Sequence, residues 1–309
     1  MPRHTLIGLY LALALSAFPQ PPRDEAYTAA YNLFQQKKWS EAEAAFQKIY
    51  SQDPPDLRGL MGLTEVYAAQ NQFPRALQLL DAEMEKGAPP PFLKTAWANI
   101  AVRAGRFDDA IGVFQKLIEA NPEDFDLHMR LAESYRLKQD LPSAIEVWTK
   151  AMRLNPESLT PILSRAMVLN QVGRKAEALA GYNDVLVRDP ANLVANNNAA
   201  FFLADSNTDL DRALRLANTA VSLSPADPNV AETLAFVFLK RNEPQSAANL
   251  LRPLTRSHPK FLPLRIRLAE AALALGARDE AAAELAAARL LSPSAEQRTE
   301  IQRIQSQLR

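Results

Sequence analysis

Small side chains return along this chain at a nearly fixed interval, and that recurrence restricts the fold more than any other feature. One column reads Ala42, Ala76, Ala110, Ala144, Ala178, Ala213, Ala247 and Ala281, in steps of 34 residues except for 35 between Ala178 and Ala213. A second reads Ala30, Thr64, Ala98, Ala132, Ala166, Ala200, Ala235 and Ala269, and its one step of 35 falls between Ala200 and Ala235. The extra residue therefore sits in the polar stretch Asp205-Ser206-Asn207-Thr208-Asp209, where a turn absorbs an insertion at little entropic cost. Two small positions per period suit a pair of antiparallel helices, because close backbone approach leaves room for no more than a methyl or hydroxymethyl group.

Larger residues stand beside the small ones. Four places after the first column come Phe46, Leu80, Phe114, Trp148, Tyr182, Ala217, Leu251 and Leu285, with Ala217 undersized. Three places after the second come Leu33, Tyr67, Tyr135, Leu169, Leu203 and Phe238, while Ala101 and Ala272 leave space. Between the helices of a pair, Asn71, Gly105, Gly173, Asn242 and Gly276 share one register, and these residue types tolerate the left-handed conformation that ends a helix. Periods close on Pro54, Pro122, Pro156, Pro190, Pro225, Pro259 and Pro293, with Pro89 one place late, and proline cannot continue a helix. Ser40 with Glu43 and Ser143 with Glu146 have the spacing of capping boxes. With only 9 glycines and 48% apolar residues dominated by Ala and Leu, the chain reads as all helical.

From about Arg23 to Pro293 the sequence resembles the tetratricopeptide-repeat (TPR) family. The segment Arg130-Leu131-Ala132-Glu133-Ser134-Tyr135, followed by Ala144, Trp148, Ala151 and Pro156, carries that family's pattern at its spacings, and eight such windows run in phase. The resemblance implies an all-α solenoid, a right-handed superhelix of eight helix-turn-helix TPR repeats starting near residues 23, 57, 91, 125, 159, 193, 228 and 262. First helices would line a concave groove that binds proteins or peptides. Residues 294–309 read as one capping helix with Ile301, Ile304 and Leu308 on its apolar side, as an open stack requires.

Groove-facing positions lie one place off the small column and a turn away. In the earlier repeats they include Phe92, Asn99, Met129, Glu133 and Arg136. Further on they include Leu163, Met167, Asn170, Asn197, Phe201 and Phe236. Apolar area rich in Met and aromatics is the physical sign of a partner site, and mutual burial in a tightly curved stack is the competing explanation. Some TPR domains grip a terminal carboxylate with clustered Lys, Arg and Asn; Arg130 and Asn198 are of the right type, but the basic partners are not assembled around them.

Other chemistries find little support. Lys plus Arg equals Asp plus Glu at 35 each, so no positive field draws the molecule to nucleic acid. Without cysteine there is neither disulfide nor thiolate chemistry. His4, His128 and His258 have no ligand partner at helical spacing, so no metal and no cofactor are expected. Acidic pairs Asp108-Asp109 and Glu123-Asp124 sit at helix starts, where carboxylates satisfy free amides, and no catalytic motif appears.

The first residues look like an address. Arg3 and His4 precede an apolar run over residues 6–15, and small Ser16-Ala17 stand before a Pro-rich segment at residues 18–22. This is the pattern of a signal peptide over residues 1–17, with an apolar run short of the length a spanning helix needs; a retained anchor and an ordinary apolar helix packed on the array are the alternatives. The sequence thus points to a non-enzymatic protein-interaction scaffold, exported to the periplasm or secreted and active in envelope assembly or secretion, with no stable membrane span once the leader is removed. A non-catalytic subunit of an exported enzyme complex and a helical-repeat RNA-binding protein are the alternatives.

Overall fold

The computed structural model describes residues 25–52 and 54–308, and the leader and linker inferred for residues 1–22 lie outside them. Among the described residues there are 17 helices and no strand, as the all-α expectation requires. They divide into two compact units between Gln139 and Asp140. The first unit holds α1 (Glu25–Gln35), α2 (Trp39–Tyr50), α3 (Leu57–Ala69), α4 (Phe73–Met84), α5 (Pro91–Arg103), α6 (Phe107–Ala120) and α7 (Phe125–Lys138). The second begins with α8 (Leu141–Leu154), α9 (Thr160–Gln171), α10 (Lys175–Arg188), α11 (Leu193–Asp205) and α12 (Leu210–Leu223). It continues with α13 (Pro228–Lys240), α14 (Pro244–Ser257), α15 (Leu262–Ala274), α16 (Arg278–Arg289) and α17 (Ala295–Ser306).

Within each unit a helix packs on the next along the chain, and alternate helices also touch. In the first unit α1 meets α3 and α3 meets α5; in the second α11 meets α13, α13 meets α15 and α15 meets α17. The small residues explain why these contacts are close: every member of both columns is at most 1% exposed. Their large neighbours Phe46, Phe114, Trp148 and Tyr182 are buried beside them, and even Ala217 is fully enclosed, in a cluster with Leu234 and Val237. On α17, Ile301 and Ile304 are buried against Leu262, Ile266 and Leu285, with Leu308 packed at the edge.

The turn register behaves as its residue types suggest. Asn71, Gly105, Gly173, Asn242 and Gly276 all have positive φ, between 59° and 80°. Lys37, Gln139 and Asn207 occupy the same register and the same left-handed region without being glycine, at 58°, 70° and 55°. The turn between α11 and α12 carries a second such residue, Asp209 at 40°, so the extra residue of the sequence is accommodated there.

Two helix starts differ from expectation. Ser40 and Ser143 do not head capping boxes: α2 begins at Trp39 with Lys38 as its cap and no side-chain bond. At α8, Asp140 takes the cap position and accepts from the Ser143 backbone N–H and hydroxyl at 3.3 and 2.8 Å. In both places the helix starts before the serine, so its hydroxyl is already inside the first turn. The complete capping box is at α17, where Ser294 and Gln297 bond reciprocally. Asp124 caps α7 by accepting from Leu127 N at 3.0 Å. Asp124→Ala is expected to lower stability by about 1 kcal/mol, read as a shift in the urea midpoint.

Candidate functional site

The sequence-selected stripe lies on alternate helices, and its members differ in exposure. In the first unit Phe92 projects from the first turn of α5 and is 47% exposed. Asn99, two turns further on the same face, is partly buried and accepts a hydrogen bond from Arg130 Nη1 of α7 at 3.0 Å. On α7, Glu133 and Arg136 are paired through Nε and Nη2 at 2.7 and 2.5 Å. Met129 is only 7% exposed, so it forms floor beneath its neighbours and offers a partner little surface.

In the second unit Leu163 is likewise buried, at 6% exposed, while Met167 and Asn170 on the same helix are partly buried. Asn197 and Phe201 lie one turn apart on α11, partly buried, and Asn197 Oδ1 has no hydrogen-bond partner. Phe201 stacks on Phe236 of α13 with ring centroids 5.1 Å apart at an interplanar angle of 28°. Phe236 itself is buried, with the guanidinium of Arg267 4.5 Å and the ammonium of Lys240 5.2 Å from its ring centre. Phe201 is therefore the part of this aromatic pair that a partner can reach. Mutual packing accounts for Met129, Leu163 and Phe236; Phe92, Asn99, Met167, Asn170, Asn197 and Phe201 retain accessible surface.

Beside the aromatic pair lies an ion cluster that the stripe did not include in full. Arg267 of α15 donates to Glu232 of α13 at 2.6 Å, to Glu270 on its own helix at 3.1 Å and to Glu300 of α17 at 2.7 Å, and Arg303 closes the set on Glu270 at 2.8 Å. Burial alone would lower the Arg267 pKa, but the fields of Glu232, Glu300 and Glu270 outweigh it and hold the group above its ordinary value. The signal was present in the sequence as opposite charges 35 and 33 residues apart, one repeat to either side, but column-by-column comparison does not look across columns. Chemically, these faces offer fixed aromatic and hydrogen-bonding groups. Among the described residues no three His, Cys, Asp or Glu side chains are grouped to hold a metal ion, and no helix is long and apolar enough to cross a membrane.

Comparison with known proteins agrees with this architecture. Two family models, both described as tetratricopeptide repeat, match residues 95–158 in one case and 33–88 and 238–308 in the other. Together they cover more than half of the chain. Superkiller complex protein 3 of Homo sapiens is 25% identical over 150 residues, 48% of this chain and 10% of that protein. A TPR repeat-containing protein of Pseudomonas aeruginosa is 25% identical over 165 residues, 52% of this chain and 28% of that one. The matched region thus spans less than a third of either relative. Among solved structures, a tetratricopeptide repeat protein from Parabacteroides merdae superposes with a TM-score of 0.61 at 17% identity, covering 81% of this chain and 97% of that one. The APC/C hetero-tetramer Cut9–Hcn1 gives 0.57 at 17% identity over 96% of this chain and 59% of the other, and at such identities the likeness shows the fold alone. With repeated small-residue packing, left-handed turns and matching family models in agreement, the chain belongs to the tetratricopeptide-repeat family, a helical scaffold suited to protein–protein interaction.

Proposed function

We propose that this protein is a non-enzymatic scaffold that holds a protein or peptide partner on its first-helix faces, as an exported bacterial protein of envelope assembly or secretion. The observation that supports partner binding most directly is Phe201, an accessible ring immobilised on Phe236, which is itself held under Arg267. A ring fixed in advance loses little rotamer entropy when a partner covers it, so more of the burial contributes to affinity. Export rests on the basic, apolar and small-residue order of residues 3–17.

Phe201→Asp and Phe92→Asp are the substitutions that test the surface, since both side chains have accessible area and Met129 and Leu163 do not. Each is expected to weaken capture of partners from a native envelope extract by about tenfold or more with helicity retained by circular dichroism. Undiminished capture by both folded variants would place binding elsewhere on the molecule. Fractionation of a tagged copy with intact-mass measurement tests export; a full-length cytosolic product sinks it.

A further inference from the structure

Two arginines near the end of the second unit share a cavity that contains no acid. It lies between the last turn of α16, the turn that follows and α17, has a volume of about 610 Å³, and is lined by Arg289, Ser292, Pro293, Arg298, Ile301 and Gln302. Pro293 and Ile301 form its apolar part, and each of the other four side chains can donate a hydrogen bond. Arg289 is exposed and has no ion-pair partner among the described residues. Arg298 donates to Pro293 O at 2.7 Å, a neutral acceptor that leaves its charge uncompensated.

The acids of the surrounding helices are engaged elsewhere. Glu280 and Glu284 of α16 pair with Arg252 and Arg265, and Glu300 of α17 pairs with Arg267. Glu296 stands two residues before Arg298 but does not line the cavity. Asp279 is ten residues before Arg289 on α16, about 15 Å along the axis and beyond the screening length of about 8 Å at physiological salt. A local positive potential therefore survives although the whole chain is neutral. Directly after Arg289 comes Leu290, 85% exposed, more than any other large apolar side chain among the described residues. A basic recess with an aliphatic side chain standing in water beside it matches the order of groups at a bilayer surface, where acyl chains lie beneath charged phosphates.

We propose that the turn between α16 and α17 docks on a membrane surface, with Arg289 and Arg298 receiving the phosphate of an anionic phospholipid and Leu290 entering the acyl boundary. Guanidinium groups suit this task because their N–H forks bond two oxygens of a phosphate at once, and Ser292 and Gln302 supply further donors at the same cavity. Two cations and one leucine give weak, reversible attachment, far short of that of a spanning helix. The same small charge, in a chain without net charge, is too little to hold a nucleic-acid backbone. This inference goes beyond the scaffold reading, and none of its residues belongs to the surface proposed to hold a partner.

The test is flotation of the full chain with vesicles of phosphatidylcholine alone or with about 30% phosphatidylglycerol, at physiological salt. Residues 1–17 act equally in every variant, so the reading is the change from the unmodified chain. Anionic vesicles are expected to bind the unmodified chain about twentyfold more tightly than neutral ones. Arg289→Gln should reduce that ratio about fivefold, and Arg289→Gln with Arg298→Gln should remove it. Leu290→Ser should weaken binding to both kinds of vesicle about tenfold and leave their ratio unchanged. Circular dichroism and the urea midpoint check folding; should the double variant fail to fold, Arg289→Gln decides alone, since that side chain has no ion pair to lose. Equal binding of the unmodified chain to both vesicles overturns the inference, as does a ratio that Arg289→Gln leaves unchanged. Soluble glycerol phosphate or a phosphoserine peptide that binds as tightly as the anionic vesicles, with Leu290→Ser without effect, overturns the assignment to a lipid. All of these outcomes leave the scaffold reading to its own test, capture by Phe92→Asp and Phe201→Asp.

Discussion

Gly59→Ala is expected to destabilise the first unit by about 3 kcal/mol or more, measured as a fall in its urea midpoint. A Cβ at this position would lie 2.4 Å from Tyr50 N, 2.6 Å from Phe46 O and 2.8 Å from Tyr50 Cα, all backbone atoms of α2. Side-chain rearrangement cannot relieve that, so α2 must move off α3. Helix propensity acts in the opposite direction, since alanine is favoured over glycine by about 1 kcal/mol in a helix interior. The sign of the change therefore decides the matter: a raised midpoint would show that α2 and α3 do not approach at Gly59. Gly62 gives the companion test. Its added Cβ would fall 2.2 Å from Phe46 Cδ1, inside a ring that is 1% exposed and has no free space to enter. Phe46→Leu should recover part of the loss in Gly62→Ala and none of it in Gly59→Ala, because only the first clash involves the Phe46 side chain.

Arg267→Met should lower the stability of the second unit by about 3 kcal/mol, with the loss concentrated at α17. One guanidinium neutralises carboxylates from three helices, α13, α15 and α17, and its removal leaves those acids facing each other with Arg303 as the remaining cation on Glu270. Arg267 is 12% exposed at its side chain and the glutamates 16 to 30%, so water screens part of the repulsion and the lower end of the range for a broken buried pair applies. Arg267→Lys should be intermediate, because a single ammonium cannot match a planar fork shared among three acids. Hydrogen exchange reads the location directly: amides of α17 should lose protection in Arg267→Met and regain part of it when Glu232→Gln and Glu300→Gln are added. An α17 whose exchange does not change would show that Ile301 and Ile304 hold it unaided.

What could be read beforehand follows from which interactions are local in register. Helix pairing was legible because a methyl-sized residue is obligatory wherever two backbones meet, and Ala42, Ala132 and Ala269 announce such places without reference to their partners. Left-handed turns were legible at Gly105 and Asn71 for a similar reason, whereas Lys37 and Gln139 adopt the same conformation against their own preference because the flanking helices are fixed. The serine caps failed because helix starts depend on which of several adjacent polar groups reaches the free amides first, and Asp140 precedes Ser143. At the candidate surface, Phe92 is exposed and Phe201 is partly buried. Met129, Leu163 and Phe236 are covered by neighbours whose size no column records, and the same dependence on neighbours concealed Arg267 and the close fit of Phe46 over Gly62.

The doubled left-handed turn at Asn207 and Asp209 has a practical side. Ala200 and Ala213 on its two flanks are both fully buried, so chain length between them has been altered without disturbing the packing on either side. It is a splice point: a short epitope or a fluorophore-bearing hairpin grafted after Thr208 would report from within the second unit at an entropic cost of only about 1 kcal/mol.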